Sequence, residues 1–404
     1  MKRQPTAAIK SNLLGRKPVR RDQVISHLRS LIVSGKFLPG ARLPTYEELG
    51  RRLRAESPTI RAAMGILLEE GFIETRPRHG SFVAARPPHL HQLGLVFNND
   101  PKSPMDESYT WSRYYQSLTQ AATDFERTSG RRVLQFFGVN WHTDAPDRAR
   151  LIEHLQSQRL AGVVFANIPL YMDDSPILRL PGIPRVAFET ESQHPNVRTV
   201  NFDGRQWLDK ALDWLVSQGC RRVAMIRHGA PDAALFENPE HRRFCEALDR
   251  HGLTTKSRWL QLATMNHRLA ARQAAELLMA DRERPDALLV TDDNYVEPAL
   301  EGLLAAGVRV PDDVAVVGHA NWPMPPAKTL PVRLLGYDQR AMLRTAVEVI
   351  DRWRAGEKPP DAVTLPALWE EEVAVDAAPP PRGCRPSRRH EVMKSQPKPK
   401  GSMR

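Results

Sequence analysis

Three short helical patterns closed by a basic hairpin come first, and a long alternation of buried-strand runs and amphipathic helices follows. Together they predict a winged helix-turn-helix (α+β) over residues 1–86 joined to a two-lobed α/β body over 87–376. Charge draws the same boundaries. Residues 1–86 hold 17 Lys and Arg against 7 Asp and Glu, residues 87–376 hold 33 against 39, and residues 377–404 hold 8 against 1. A basic head on an acidic body points to a polyanion-binding module attached to something else. The tail 377–404, rich in Pro, Arg and Lys, is expected to be disordered.

From Val24 the apolar residues Val24, Leu28, Leu31 and Ile32 fall at helical spacing, Gly35 ends the helix, and Pro39-Gly40 makes a turn. Thr45 with Glu48 forms a capping box for a second helix whose Leu49 and Leu53 face inward. A third helix opens with Ser57 as N-cap and Pro58 at the first helical position. Ile60, Met64, Leu67 and Leu68 are expected on its core side, and Gly71 stops it. Phe72–Glu74 and Ser81–Val83 read as short strands around the tip Arg76-Pro77-Arg78-His79-Gly80. In such a fold the third helix enters the major groove of double-stranded DNA, presenting Ser57, Thr59 and Arg61, while Arg78 and His79 reach phosphates or a neighbouring groove.

The stretch Leu31–Gly35, Pro39-Gly40-Ala-Arg-Leu-Pro-Thr45, Thr59-Ile-Arg61, Leu68-Glu-Glu-Gly71 and Gly80-Ser-Phe-Val83 resembles the GntR-type DNA-binding domain over some 60 residues. The resemblance implies that Thr45, Tyr46, Pro58, Arg76 and Gly80 join Ser57, Thr59, Arg61, Arg78 and His79 at the DNA. One departure concerns the bases read. The family's Ser-Arg before the third helix is Glu56-Ser57 here, so one contacting arginine is absent and an acid stands near the groove.

In the body, strand-like runs lie at 93–97, 133–137, 162–165, 185–188, 222–226, 287–290 and 314–317. Helical patterns lie near 114–128, 147–159, 205–219, 240–252, 268–281 and 295–306. Two such series suggest two similar lobes with a cleft at the carboxyl ends of the strands. Gly162-Val-Val-Phe, Gly182-Ile-Pro184, Gly219-Cys-Arg-Arg-Val-Ala224 and Gly307-Val-Arg-Val-Pro-Asp-Asp-Val-Ala-Val-Val-Gly318 resemble the LacI-type sensor, itself similar to periplasmic sugar-binding proteins. A GntR-type head on such a sensor is the arrangement of the arabinose-repressor group. The stiff linker Arg86-Pro87-Pro88-His89 replaces the hinge helix of LacI members.

The resemblance implies a carbohydrate effector touched by Asn98, Trp111, Tyr114, Asn167, Glu189, Asp203, Arg242, Asp293 and Asn321. Paired carboxylates and amides suit vicinal hydroxyls, and an aromatic ring suits the apolar face of a sugar. Each has a plainer reading too: a polar strand end is often a turn former or helix cap, and one of Tyr114 and Tyr115 is expected in the core. The family's sugar-gripping arginine falls on Glu240, with Arg242 or Arg243 as substitutes, and its Gly-aromatic-Asp-Asp motif appears as Gly318-His-Ala-Asn321.

Other functions lack support. There is no P-loop, Gly-x-Ser-x-Gly elbow, His-Glu-x-x-His or dinucleotide fingerprint, and neither His228 nor His319 has a sequence-evident nucleophile or metal partner. Three cysteines are too few and too far apart for a disulfide framework or a zinc site. No apolar run approaches the roughly 18 residues of a membrane span. The expectation is a cytoplasmic, nucleoid-associated regulator of repressor type without cofactor or membrane partner, a homodimer on a palindromic operator. The alternatives are an effector-independent architectural DNA protein, using both basic ends, and an enzyme.

Overall fold

The computed structural model describes residues 20–101, 112–140, 145–188, 196–229, 239–263 and 268–373. The basic tail lies outside them. The head consists of α1 (Arg20–Val33), α2 (Tyr46–Leu53), α3 (Ser57–Glu69) and a hairpin of β1 (Ile73–Arg76) and β2 (Gly80–Val83). Val24, Leu28 and Ile32 of α1 meet Leu49, Ile60, Met64, Leu67, Phe72 and Val83 in one buried cluster. At α2 both halves of the capping box form: Thr45 Oγ1 accepts from the Glu48 amide, and the Thr45 amide donates to Glu48 Oε2.

Two details of α3 differ from expectation by one position. Glu56 is the N-cap and makes no side-chain cap bond, while Ser57 and Pro58 are the first two helical residues. The Ile60 amide bonds to the Glu56 carbonyl, so the helix begins one residue earlier than the Ser-Pro pair suggests. Leu68 is 46% exposed instead of buried, because it lies beyond the edge of the stripe formed by Ile60, Met64 and Leu67. The hairpin strands run closer to the wing tip than the sequence suggests, with Arg76 opposite Gly80.

The chain leaves the head through one helical turn, α4 (Pro88–His91), preceded by Pro87. His89 is buried and its ring stacks on Phe72 of the head at 5.8 Å and 17°. Such a pair adds roughly 0.5–1.5 kcal/mol beyond area burial. Arg86 Nη1 donates to the Gly130 carbonyl at 3.4 Å. The linker is therefore held on both sides.

Each lobe is a six-stranded sheet. In lobe 1 the order is β13 (Ala362–Leu365), β7 (Arg198–Phe202), β6 (Arg185–Phe188), β5 (Gly162–Phe165), β3 (Gln92–Val96) and β4 (Arg132–Phe136), all parallel. In lobe 2 it is β14 (Leu368–Trp369), β12 (Arg333–Asp338), β11 (Ala315–Trp322), β10 (Ala287–Val290), β8 (Val223–His228) and β9 (Leu260–Ala263), with only β14 antiparallel. Strands β5, β6 and β10 are buried end to end, as a sheet covered by helices on both faces requires.

The helices are α5 (Arg113–Ser129), α6 (Pro146–Gln156), α7 (Pro176–Arg179), α8 (Gly204–Ser217), α9 (Pro239–Arg250), α10 (Arg268–Ala280), α11 (Asp293–Ala305) and α12 (Gln339–Arg354). The chain crosses between lobes three times: from β7 into α8, from β12 into α12, and from β13 into β14. Helix α12 returns to lobe 1, where Met342, Leu343, Ala346, Val347 and Ile350 pack with Leu93, Leu118, Val164 and Val186. Gly336 lies so close to the Ala320 carbonyl that any side chain there would collide with it. That approach sets the Asn321 and Tyr337 ends of β11 and β12 side by side.

Candidate functional site

The head presents a basic face. Ser57, Pro58 and Arg61 are exposed at the start of α3, Thr59 is half-buried, and Tyr46 is exposed at the start of α2. Thr45 is engaged in its cap. At the wing tip Arg78, His79 and Gly80 are exposed, with Arg78 in the left-handed region (φ 64°) and Gly80 at φ 100°, where glycine carries little strain. Arg76 is committed elsewhere. Its guanidinium bonds to Glu74 Oε1 at 2.6 and 2.9 Å and lies over the Phe82 ring at 4.3 Å, so it staples the wing rather than reaching outward. Arg42 was missed by sequence reasoning. It pairs with Phe82 as a third rung of the wing, and its guanidinium lies over Gly80. Exposed Arg51 and Arg52 on α2 add to the same charge.

Between the lobes lies a cleft of about 1130 Å³. Tyr114, Asn167, Asp203, Asp293 and Asn321 line it. Trp111 and Glu189 lie outside the described residues. Two expected contacts fall elsewhere. Asn98 stands behind the wall, its Oδ1 accepting from the Tyr115 hydroxyl at 2.7 Å. Arg242 is exposed off the cleft, and its neighbour Arg243 lines it instead, because one step along a helix turns the side chain by about 100°. Tyr115 is the core member of the tyrosine pair, and its hydroxyl lies 2.6 Å from Asn167 Oδ1 as well, so its single proton is shared between the two amide oxygens.

The polar wall comes from lobe 2. Asp292 caps α11, accepting from the Asn294 amide at 2.9 Å. Asp293 is buried and accepts from Asn321 Nδ2 at 2.9 Å, and Asn321 Oδ1 accepts from Gln339 Nε2 at 2.8 Å. Burial, reinforced by the charge of Asp292, pushes the Asp293 carboxyl up to about 7. Asn321 thus ties the cleft to the crossover at Gln339. Asp203 caps α8 through the Gln206 amide at 2.9 Å while still lining the cleft, so its plain and its functional readings coexist.

An aromatic strip runs across the crossovers. Tyr114 meets Phe202 edge-on at 6.0 Å, Phe202 meets Tyr337 at 4.7 Å, and His319 lies 5.7 Å from Tyr337 and 5.9 Å from Trp207. All five rings line the cleft. Burial holds His319 down at about 4, so its imidazole is neutral. His228 Nδ1 is 3.2 Å from the Tyr295 hydroxyl, a packing partnership with no nucleophile in it. Among the described residues no group of three or more His, Cys, Asp or Glu could hold a metal ion, and no helix is long and apolar enough to cross a membrane.

The lobes also touch outside the cleft floor. The Arg113 amide donates to Asn294 Oδ1 at 3.0 Å, its guanidinium pairs with Glu297, and Ser117 Oγ donates to the Asn321 carbonyl at 2.7 Å. Helices α5 and α11 therefore register one lobe on the other.

A winged helix with a basic face on a two-lobed sensor with a polar and aromatic cleft is the architecture of a DNA-binding transcriptional regulator. Residues 20–83, the head, match the gntR family of bacterial regulatory proteins. Residues 212–370 match a periplasmic binding protein-like domain. The chain is 22% identical over 367 residues to the arabinose metabolism transcriptional repressor of Geobacillus stearothermophilus, covering 86% of this chain and 95% of that protein. It is 28% identical over 174 residues to the repressor PurR of Photobacterium profundum, covering 43% of this chain and 51% of that one. A LacI family regulator from Arthrobacter sp. FB24, solved in complex with lactose, superposes with a TM-score of 0.54 at 20% identity, over 69% of this chain and 97% of the other. At that identity the likeness is one of fold.

Proposed function

We propose that the protein is a sequence-specific repressor that acts in the cytoplasm as a homodimer on a palindromic operator and binds a carbohydrate effector in its interlobe cleft. It works by binding and not by turnover. The observation that carries the effector class is the pairing of two walls. The strip Tyr114, Phe202, Tyr337, His319 and Trp207 faces the same cavity as the carboxylate and amide set Asp292, Asp293, Asn294 and Asn321. Rings stack on the C–H face of a pyranose while acids and amides pair with its hydroxyls. The relatives named as sugar-pathway repressors and the lactose complex of the Arthrobacter regulator support the same class.

Sequence discrimination rests on Ser57, Thr59 and Arg61 at the start of α3, and Arg78 and His79 hold the wing on the backbone. The test is a thermal-shift screen of the full chain against mono- and disaccharides, repeated with Phe202→Ala. A sugar that raises the melting temperature of the wild type but not of the variant is the expected result. No shift with any sugar, against a clear shift with a nucleobase or an amino acid, would replace the effector class.

A further inference from the structure

Between head and sensor lies a second constellation that the cleft does not use. From the linker come Arg86, His89 and His91; from lobe 1 come Arg131, at the foot of β4, and Arg354, at the end of α12. The groups feel one another. His91 is held below its ordinary value by burial and then by the charges of Arg131 and Arg86. Burial, followed by Arg354 and His91, brings His89 down to about 4, and burial lowers Arg354, with Arg131 adding to the effect. Against three guanidinium groups stands one carboxylate, Asp351, which accepts from Arg131 Nη1 at 2.7 Å and is itself half exposed.

The donors here are not satisfied by the protein. Arg131 Nε and Nη2 are fully buried without an acceptor among the described residues, and His89 Nδ1, on a residue only 3% exposed, has no hydrogen-bond partner among them. An arginine cannot shed its proton, so two idle N–H groups out of water are left without the partners that solvent would supply. Structures avoid such orphans, and where they persist a bound ion or water is the usual reason. A planar fork with two free N–H groups, flanked by further cations, matches an oxyanion.

We propose that the head–sensor junction is a binding site for a small oxyanion, inorganic phosphate or a phosphoryl or carboxylate group of comparable size, held by Arg131 with His89, Arg86 and Arg354 around it. The buried Arg131 fork is distinct from the exposed cations of the DNA face, Arg61 and Arg78. The occupant would join the linker to lobe 1. His89 already stacks on Phe72 of the head, so an anion there stiffens the path between sensor and DNA.

The experiment is equilibrium dialysis of the full-length protein against radiolabelled inorganic phosphate, with chloride matching the ionic strength, alongside melting curves. One phosphate bound per chain and a rise of a few degrees are expected without DNA or sugar. Arg131→Met keeps the aliphatic stem and removes the fork, so it should lose both. An Arg61→Ala/Arg78→Ala double variant, stripped of cations on the DNA face, should retain both. Should Arg131→Met fail to fold, solvent-accessible Arg86→Gln should weaken phosphate binding severalfold on its own. No saturable phosphate binding, or binding that persists in Arg131→Met and vanishes in the double variant, would overturn the proposal. So would retention only when operator is present, which would assign the oxyanion to the DNA backbone.

Discussion

Asp293 carries the most consequential single proton in the cleft. Its carboxyl is raised from 3.8 to about 7 by burial and by Asp292, so the folded protein holds a proton that the unfolded chain releases near pH 4. Stability linked to this group is complete below about pH 4 and is lost as pH rises toward 7, with a slope of up to about 1.4 kcal/mol per pH unit. Asp293→Asn keeps the neutral form at every pH. Its melting temperature should match the wild type near pH 4 and exceed it at pH 8, and a variant equally shifted at both would show that the group does not titrate in this range. On the head, Arg61 is exposed at the start of α3, and the proposed reading has it contact a base edge. Arg61→Ala should cost roughly 1–3 kcal/mol of operator affinity and relax preference at one base pair per half-site. Arg78→Ala should weaken all sequences alike. Binding to a randomised operator library separates the two, and uniform loss in both variants would refute the base-reading role. Arg76, tied to Glu74 and Phe82, belongs to the wing's own stability.

At the scale of elements, α3 begins on a poor cap. Glu56 makes no side-chain bond to the helix amides, whereas serine at that position would accept one. Glu56→Ser should stabilise the head by about 0.5–1 kcal/mol and, by removing an acid from the groove, raise operator affinity in the same titrations. A loss of affinity would mean that Glu56 accepts from a cytosine amine and reads sequence.

Much of this layer was legible in the sequence. The three head helices, the wing and most body elements follow from apolar period and punctuation, because each ends at a glycine or proline or begins at a capping residue. Elements that merge with a neighbour were not legible. Strand β12 runs straight into α12 at the Asp338 cap, and α12 went unread although that cap and Gly356 mark its two ends. The same gap hid Phe202 and Tyr337, which end unread strands and become neighbours only through the crossovers. Asn321 and Asp293 were picked as separate ligands. Their bond to each other is a tertiary fact that no spacing encodes.

For the whole molecule, the question is how a sugar in the cleft could reach DNA. The lobes are joined by three crossovers and keyed by Arg113 to Asn294 and Glu297, and the head is fixed to lobe 1 through Phe72, His89 and Arg86. On the proposed function, a change in lobe angle would be carried into the head along this path instead of being absorbed by a loose tether. Inserting Gly-Ser-Gly-Ser between Arg86 and Pro87 should preserve sugar binding while removing the effect of sugar on operator affinity; an insertion that leaves the response intact would place the coupling elsewhere. Because one winged helix reads only a few base pairs, the proposed function calls for a dimer on two half-sites. Sedimentation should give a dimer at micromolar concentration with a two-fold footprint.

The central claim, that cleft and operator are coupled, is tested most directly by titrating operator DNA into the full-length protein with and without saturating sugar from the screen, and then sugar with and without saturating operator. A ligand shifts DNA affinity only through its differential affinity for two sensor states, and the coupling is reciprocal. The expected result is a change of roughly 5–150-fold, equal in both directions. Identical operator affinity at saturating sugar would contradict the account, leaving a DNA-binding protein whose cleft does not speak to its head.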